Sequence, residues 1–179
     1  SNPGWYAGFE DADTTLQAAV PFYGVFDMTD RLGANHEDFL SRFIEPIVIK
    51  AFIADEPEKF AEASPTDRVH ADAPPFFVIH GDRDTLAPLE DARLFVERLR
   101  EASDQPVVYA ELHGAQHAFD LFYSLRSTPV FQSVERFLEA VRREVQDGAT
   151  AGLADEDIIV DPTGADIDDQ PAGAVTATR

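Results

Sequence analysis

At 179 residues, 44% of them hydrophobic and 14 of them Phe, the chain can build one domain with a substantial core. It has no cysteine, which excludes a disulfide framework, a thiolate metal site and a cysteine nucleophile, and leaves the redox compartment open, with the cytoplasm as the favoured setting. The net charge is −20, of which −7 falls from Asp147 onward, where eight acids (Asp147, Asp155, Glu156, Asp157, Asp161, Asp166, Asp168 and Asp169) face Arg179 alone. The remaining −13 repels phosphate backbones, so nucleic acid is not an expected partner, and the charge reads first as a solvated surface. No run approaches the roughly 18 apolar residues of a membrane span, and no basic stretch followed by an apolar one marks a signal peptide.

Residues 1–15 are polar and aperiodic and read as a loop. Ala18–Phe26 is an apolar run without alternation, the pattern of a strand buried on both faces of a parallel sheet. From about His36 to Ala54, Phe39, Phe43, Ile47 and Ala51 form one row at helical spacing, and Leu40, Ile44, Val48 and Phe52 form its neighbour. Pro46 predicts a break or kink near Glu45. Two readings fit this wide stripe: a helix buried in the core, or one lining an oily substrate pocket, with Phe39, Phe43, Ile47 and Phe52 as candidate substrate-binding residues.

Glu56–Ala63 reads as a short helix and Ser64-Pro65 as a turn. Pro74-Pro75 then punctuates the chain before a second strand, Phe76–His80. Leu89–Glu101 is an amphipathic helix, Pro106–Leu112 a third strand, and Pro129–Val145 a final amphipathic helix. Strand and helix in alternation predict an α/β fold of parallel strands with flanking helices. The expected division is a domain over residues 1–146, with a helical, cap-like segment at about 30–63, followed by an acidic, disordered tail at 147–179 whose one apolar cluster is Ile158-Ile159-Val160.

In such sheets chemistry sits beyond the carboxyl ends of the strands. The loop after the second strand carries Asp82 and Asp84, and the loop after the third carries His113 and His117. Neighbouring parallel strands would bring these exits within a few ångströms, the arrangement needed by a general base and the acid that orients it. Asp82, next to Gly81, is placed to bond backbone amides, and His113 lies a loop too early to be the base. His80 closes a strand and reads as a packing or loop-bracing residue, while His36 and His70 carry no signal.

The block Pro74-Pro75-Phe76-Phe77-Val78-Ile79-His80-Gly81-Asp82-Arg83-Asp84-Thr85-Leu86-Ala87-Pro88 resembles the His-Gly-x-x-Asp region that presents the catalytic acid of α/β-hydrolases. Gly114-Ala115-Gln116-His117-Ala118-Phe119 resembles the loop that presents their catalytic histidine. With Ala63-Ser64-Pro65 ahead of the acid strand, the chain is most similar to the hormone-sensitive-lipase-like carboxylesterases, over roughly Gly8 to Val145. The resemblance implies the C-terminal part of an α/β-hydrolase with an incomplete sheet, Asp84 as acid, His117 as base, an ester as substrate, and no metal or organic cofactor. Prolyl-oligopeptidase-like peptidases and dienelactone hydrolases share the His-Gly-x-x-Asp turn and stay open as alternatives.

That family places its nucleophile in Gly-x-Ser-x-Gly, and none of the serines at 1, 41, 64, 103, 124, 127 and 133 has glycine at both flanking second positions. A His-Gly-Gly oxyanion loop is absent as well. The expectation is that the chain begins just downstream of the nucleophile's helix. It would then be inactive alone, and either self-associate or pair with the missing N-terminal half through its open sheet edge. A truncated, non-catalytic binding or assembly module is the remaining alternative.

Overall fold

The computed structural model of the chain describes residues 7–9, 11–34, 40–125 and 127–147, and the backbone of 157–160. Strand β1 (Phe76–Gly81) is a β-branched and aromatic run started by Pro74-Pro75, and strand β2 (Val107–Leu112) lies parallel to it, in register from Phe76 opposite Val107 to Gly81 opposite Leu112. Between them runs helix α3 (Leu89–Ala102), with Glu90 and Asp91 in its first turn and Arg100 in its last, the polarity that suits a helix dipole. After β2 comes the long helix α4 (Ser127–Asp147).

Both faces of the sheet are covered, which explains why its strands do not alternate apolar with polar residues. On one face Val78, Val107 and Tyr109 pack with Phe26 and with Phe95, Val96 and Leu99 of α3. On the other, Phe77, Ile79, Ala110 and Leu112 pack with Val130, Phe137 and Val141 of α4. Phe26 stacks on Phe95 with centroids 4.5 Å apart, and Phe77 meets Phe137 edge-on at 5.6 Å, so each face has its own aromatic anchor.

The expected first strand, Ala18–Phe26, is shorter than its apolar run. It forms a parallel ladder with β1 through Ala19 N–H to Pro75 O, Phe77 N–H to Ala19 O, Ile79 N–H to Pro21 O and Tyr23 N–H to Ile79 O. Pro21 has no N–H and drops one rung, and at Tyr23 the backbone turns to φ 39°, ending the extended run. Beyond it, Asp27 accepts from Thr29 and Arg31, the Ser64 hydroxyl accepts Met28 N–H and donates to Phe60 O, and Thr66 donates to Phe26 O. This knot gives Ser64-Pro65 its structural reason: helix α2 (Pro57–Ala63) and the single 3₁₀ turn Pro65–Asp67 tie the end of the first run to the core. Burial works against ionised Asp27, but the bonds from Arg31 and Thr29 outweigh it and hold the carboxyl down at about 2.

The helix expected over 36–54 is described as Leu40–Ile49 (α1), which winds with wide π-helical turns around the internal Pro46 and packs on α2. Phe39 lies outside the described residues. The buried-core reading of this segment is corrected: Ile44 is buried, but Phe43, Ile47, Val48 and Phe52 are exposed. Helical periodicity identifies an apolar face but not what covers it. Asp157–Val160 forms strand β3, parallel to β2 with Ala110 opposite Ile158 and Leu112 opposite Val160. Its Ile-Ile-Val core supplies the β-branched pattern that a sheet edge accepts.

Asp91, in the first turn of α3, is 1% exposed with neither carboxylate oxygen hydrogen-bonded. Burial first, then the charges of Asp27 and Asp30, push its carboxyl up to about 7. A folded value raised above the unfolded one makes Asp91 favour the fold most at acid pH, and that contribution is lost as pH rises from about 4 to about 7. Asp91→Asn is therefore expected to raise stability at pH 8 by on the order of 3 kcal/mol and to flatten the dependence across that window. Urea midpoints at pH 5 and pH 8 check this, and equal gains at both would count against it.

Candidate active site

The register of β1 on β2 makes their exit loops neighbours: Asp82 N–H donates to Leu112 O, and Arg83 N–H donates to Ala115 O. Gly81 is required by this approach, because a side-chain carbon there would collide with the Ala115 carbonyl. Asp82 braces the two loops, accepting from Gly114 N–H at 2.6 Å and from His113 Nδ1 at 2.8 Å. Its place beside Gly81 had suggested such amide bonding. His113 is exposed on this brace.

Asp84 is turned inward, its side chain wholly shielded. Its Oδ1 accepts the amides of Leu86 at 2.8 Å and Ala87 at 2.9 Å, a turn closed by its own side chain. Its Oδ2 is 2.9 Å from Nδ1 of His117, whose side chain keeps 27% of its exposure. A carboxylate only accepts, so as a carboxylate–imidazole bond this contact takes its proton from His117 Nδ1 and leaves Nε2 facing away from Asp84. The two expected residues thus meet in the arrangement their strand-end positions implied.

Three further residues surround this pair. Buried His80 donates from Nε2 to Ala87 O at 2.9 Å and lies 3.6 Å from Asp84 Oδ2, tying the acid's turn back to β1. Burial lowers the pKa of His80, keeping it neutral despite the nearby carboxylate. This is the loop-bracing role its position suggested. Tyr23 sets its ring 4.5 Å, centroid to centroid, from the imidazole of His117, and its hydroxyl donates to Asp120 Oδ1 at 2.9 Å. Nothing in the sequence pattern distinguishes Tyr23 or Asp120, which read as part of a strand and of a loop.

The candidate substrate residues Phe43, Ile47 and Phe52 are exposed on α1 and the turn after it. The cleft beside them is lined by Glu45, Pro46, Lys50, Ala51, Phe52, Asp55 and Glu56, and includes neither Asp84 nor His117. Among the described residues no group of His, Asp and Glu is placed to hold a metal ion.

Two substitutions test the geometry without any reaction. In Asp84→Asn the amide can keep the two backbone bonds through its oxygen only by turning its NH2 toward His117. Imidazole ¹⁵N NMR is then expected to show the proton moved to Nε2, with the fold intact. A proton still on Nδ1 would contradict the assigned pair. Asp82→Ala removes the acceptor of two donors on the neighbouring loop and is expected to cost about 1 kcal/mol, since the site is partly solvated. Chemical denaturation checks it.

A family model named BD-FAE matches residues 4–99. Among curated proteins the chain is similar to the "probable carboxylic ester hydrolase" LipM of Mycobacterium tuberculosis (strain ATCC 25618 / H37Rv), with 46% identity over 154 residues, covering 86% of this chain and 36% of that protein. It is similar also to the esterase LipQ of the same organism, with 43% identity over 141 residues, covering 79% and 33%. A solved structure described as a truncated form of a carbohydrate esterase from gut microbiota superposes with a TM-score of 0.57 at 20% identity, covering 74% of this chain and 45% of that one, and shows the fold alone. The chain spans about a third of the length of the curated relatives it matches. With the family model matching more than half of its residues and parallel strands placing an acid and a histidine at neighbouring ends, the chain belongs to the BD-FAE family, of α/β-hydrolase fold.

Proposed function

We propose that this chain supplies the acid and the base of a carboxylic ester hydrolase, with Asp84 orienting His117 and His117 moving the proton. The supporting observation is the 2.9 Å bond from His117 Nδ1 to a fully shielded Asp84, whose other oxygen is held by two amides. Nε2 then takes a proton from a serine hydroxyl as it attacks the ester carbonyl, and returns it to the departing alcohol. Asp84 stabilises the imidazolium between these steps.

The nucleophile is supplied from outside these 179 residues. No serine here stands in a Gly-x-Ser-x-Gly turn, and the hydroxyls of Ser64, Ser103, Ser124, Ser127 and Ser133 are committed to other partners. No step of this chemistry asks for a metal or an organic cofactor. The names of the relatives favour an ester as the bond cleaved. The exposed face of Phe43, Ile47 and Phe52 is the surface we assign to an apolar acyl group.

Residues 1–179 alone are expected to hydrolyse p-nitrophenyl butyrate no faster than buffer. A protein joining them to a nucleophile-bearing segment is expected to turn it over, with His117→Ala and Asp84→Ala each lowering kcat by roughly 10³- to 10⁶-fold. Steady-state rates with the ester and with a matched anilide decide between ester and amide cleavage. Turnover that survives His117→Ala would refute the assignment.

A further inference from the structure

We infer that Tyr23 is a positioning residue for His117, its ring backing the imidazole while its hydroxyl, through Asp120, fixes the loop that carries it. The inference rests on the reading of His117 as the base, and concerns what holds that base in one orientation. Asp84 grips the imidazole at a single atom, Nδ1. One hydrogen bond leaves the ring free to swing about it, so a second contact on the ring face is needed to aim Nε2 in one direction.

Tyr23 supplies that contact at 4.5 Å between centroids, with the planes tilted by 54°. Its own placement is fixed from four sides. The backbone N–H donates to Ile79 O at 2.8 Å, the hydroxyl donates to Asp120 Oδ1 at 2.9 Å, and the ring meets Phe119 and Phe22 edge-on. Asp120 lies three residues beyond His117, so Tyr23 holds the catalytic loop at two points: at the imidazole, and past it.

The backbone points the same way. Among the described residues, four that are not glycine have positive φ, and two of them, Tyr23 at 39° and Ala118 at 57°, flank His117. A left-handed conformation at a residue with a side chain costs about 1 kcal/mol or more and persists only where the surroundings dictate it. Gly24, next in the chain, would accept that conformation freely, yet the turn falls on Tyr23. A tyrosine bent at this point puts its ring against the imidazole as the strand ends.

The test is imidazole ¹⁵N NMR of His117 in the full 179-residue chain, with kcat and KM measured in the joined, nucleophile-bearing protein. Wild type is expected to show the Nδ1–H form alone. Tyr23→Leu, which removes both holds, is expected to give exchange-averaged nitrogen signals and to lower kcat by about 10-fold or more with KM little changed, the size of effect that misplacing a catalytic group has. Tyr23→Phe keeps the ring and loses the Asp120 bond, and is expected to fall between. Asp120→Asn retains an acceptor oxygen and is expected to keep the single Nδ1–H form, which separates loss of the bond from loss of charge.

Far-ultraviolet dichroism checks that each variant folds. If Tyr23→Leu does not, Tyr23→Phe and Asp120→Ala carry the test, and both must broaden the His117 signals. Unaltered signals in the folded variants, or a change in KM alone, would overturn the inference. Turnover persisting in His117→Ala would instead overturn the reading of the base, and the NMR result on ring order would stand apart from it.

Discussion

The parallel register of β1 on β2 sets Gly81 beside Leu112 and so sends two loops out of the sheet at one point. The contacts between these two loops follow from that neighbourhood. Arg83 reaches the Ala115 carbonyl, Asp82 reaches Gly114 and His113, and Asp84 reaches His117, all across the same short gap. A slip of the register would separate these partners by a strand residue, about 3.3 Å per step, longer than the hydrogen bonds themselves. The packing that prevents a slip is distributed over both faces of the sheet, through α3 and Phe26 on one side and α4 on the other. The scaffold therefore fixes the geometry of the two loops, with buried His80 of β1 reaching from the sheet to the acid's turn.

Three buried aspartates show how far the surroundings, rather than the residue type, decide what a carboxylate does. Asp27 is ringed by donors from Thr29 and Arg31, which hold it ionised and make it a structural anchor for Ser64 and its turn. Asp84 is met by two amides on one oxygen and by the imidazole of His117 on the other, with His80 3.6 Å away. Asp91 is met by no donor and is pushed up to about 7. Only the second arrangement sets a carboxylate oxygen against an imidazole, as an orienting acid needs: Asp27 is already paired with a guanidinium, and a bare carboxylate takes up a proton.

The loop geometry of the candidate site is legible in the sequence wherever local chemistry dictates it. His80-Gly81-x-x-Asp84 is readable because the glycine answers a steric demand from the next loop and the aspartate closes a turn on its own amides. The strands β1 and β2 and the helices α3 and α4 were legible because each is long, apolar on the required faces and bounded by proline or polar residues. What escaped depends on distant partners. The left-handed bend at Tyr23 is invisible beside Gly24, the residue that turn chemistry would choose, and its bond to Asp120 spans 97 positions. The pairing of β3 is likewise non-local, since Ile158-Ile159-Val160 reads as an isolated apolar cluster until β2 offers an edge. The stripe on α1 was visible as a stripe, but its exposure was not, because periodicity counts apolar residues and says nothing of their neighbours.

An acid and a base alone do not select the bond that is cleaved. His117 with its proton on Nδ1 would serve an ester or an amide equally, because both need a proton taken from the nucleophile and returned to the leaving group. The two substrates differ in how much the leaving group depends on that return: an amine must be protonated to depart, whereas an alkoxide leaves more readily. A firmly aimed Nε2 therefore matters more for amides, and a loosely held one would suffice for activated esters. The effect of loosening Tyr23 should accordingly be larger on the anilide than on the nitrophenyl ester, if both are turned over. Specificity for the acyl group must therefore come from surfaces beyond the pair, where each methylene buried against apolar side chains gains roughly 0.8 kcal/mol, enough to rank chain lengths without altering the proton transfers themselves.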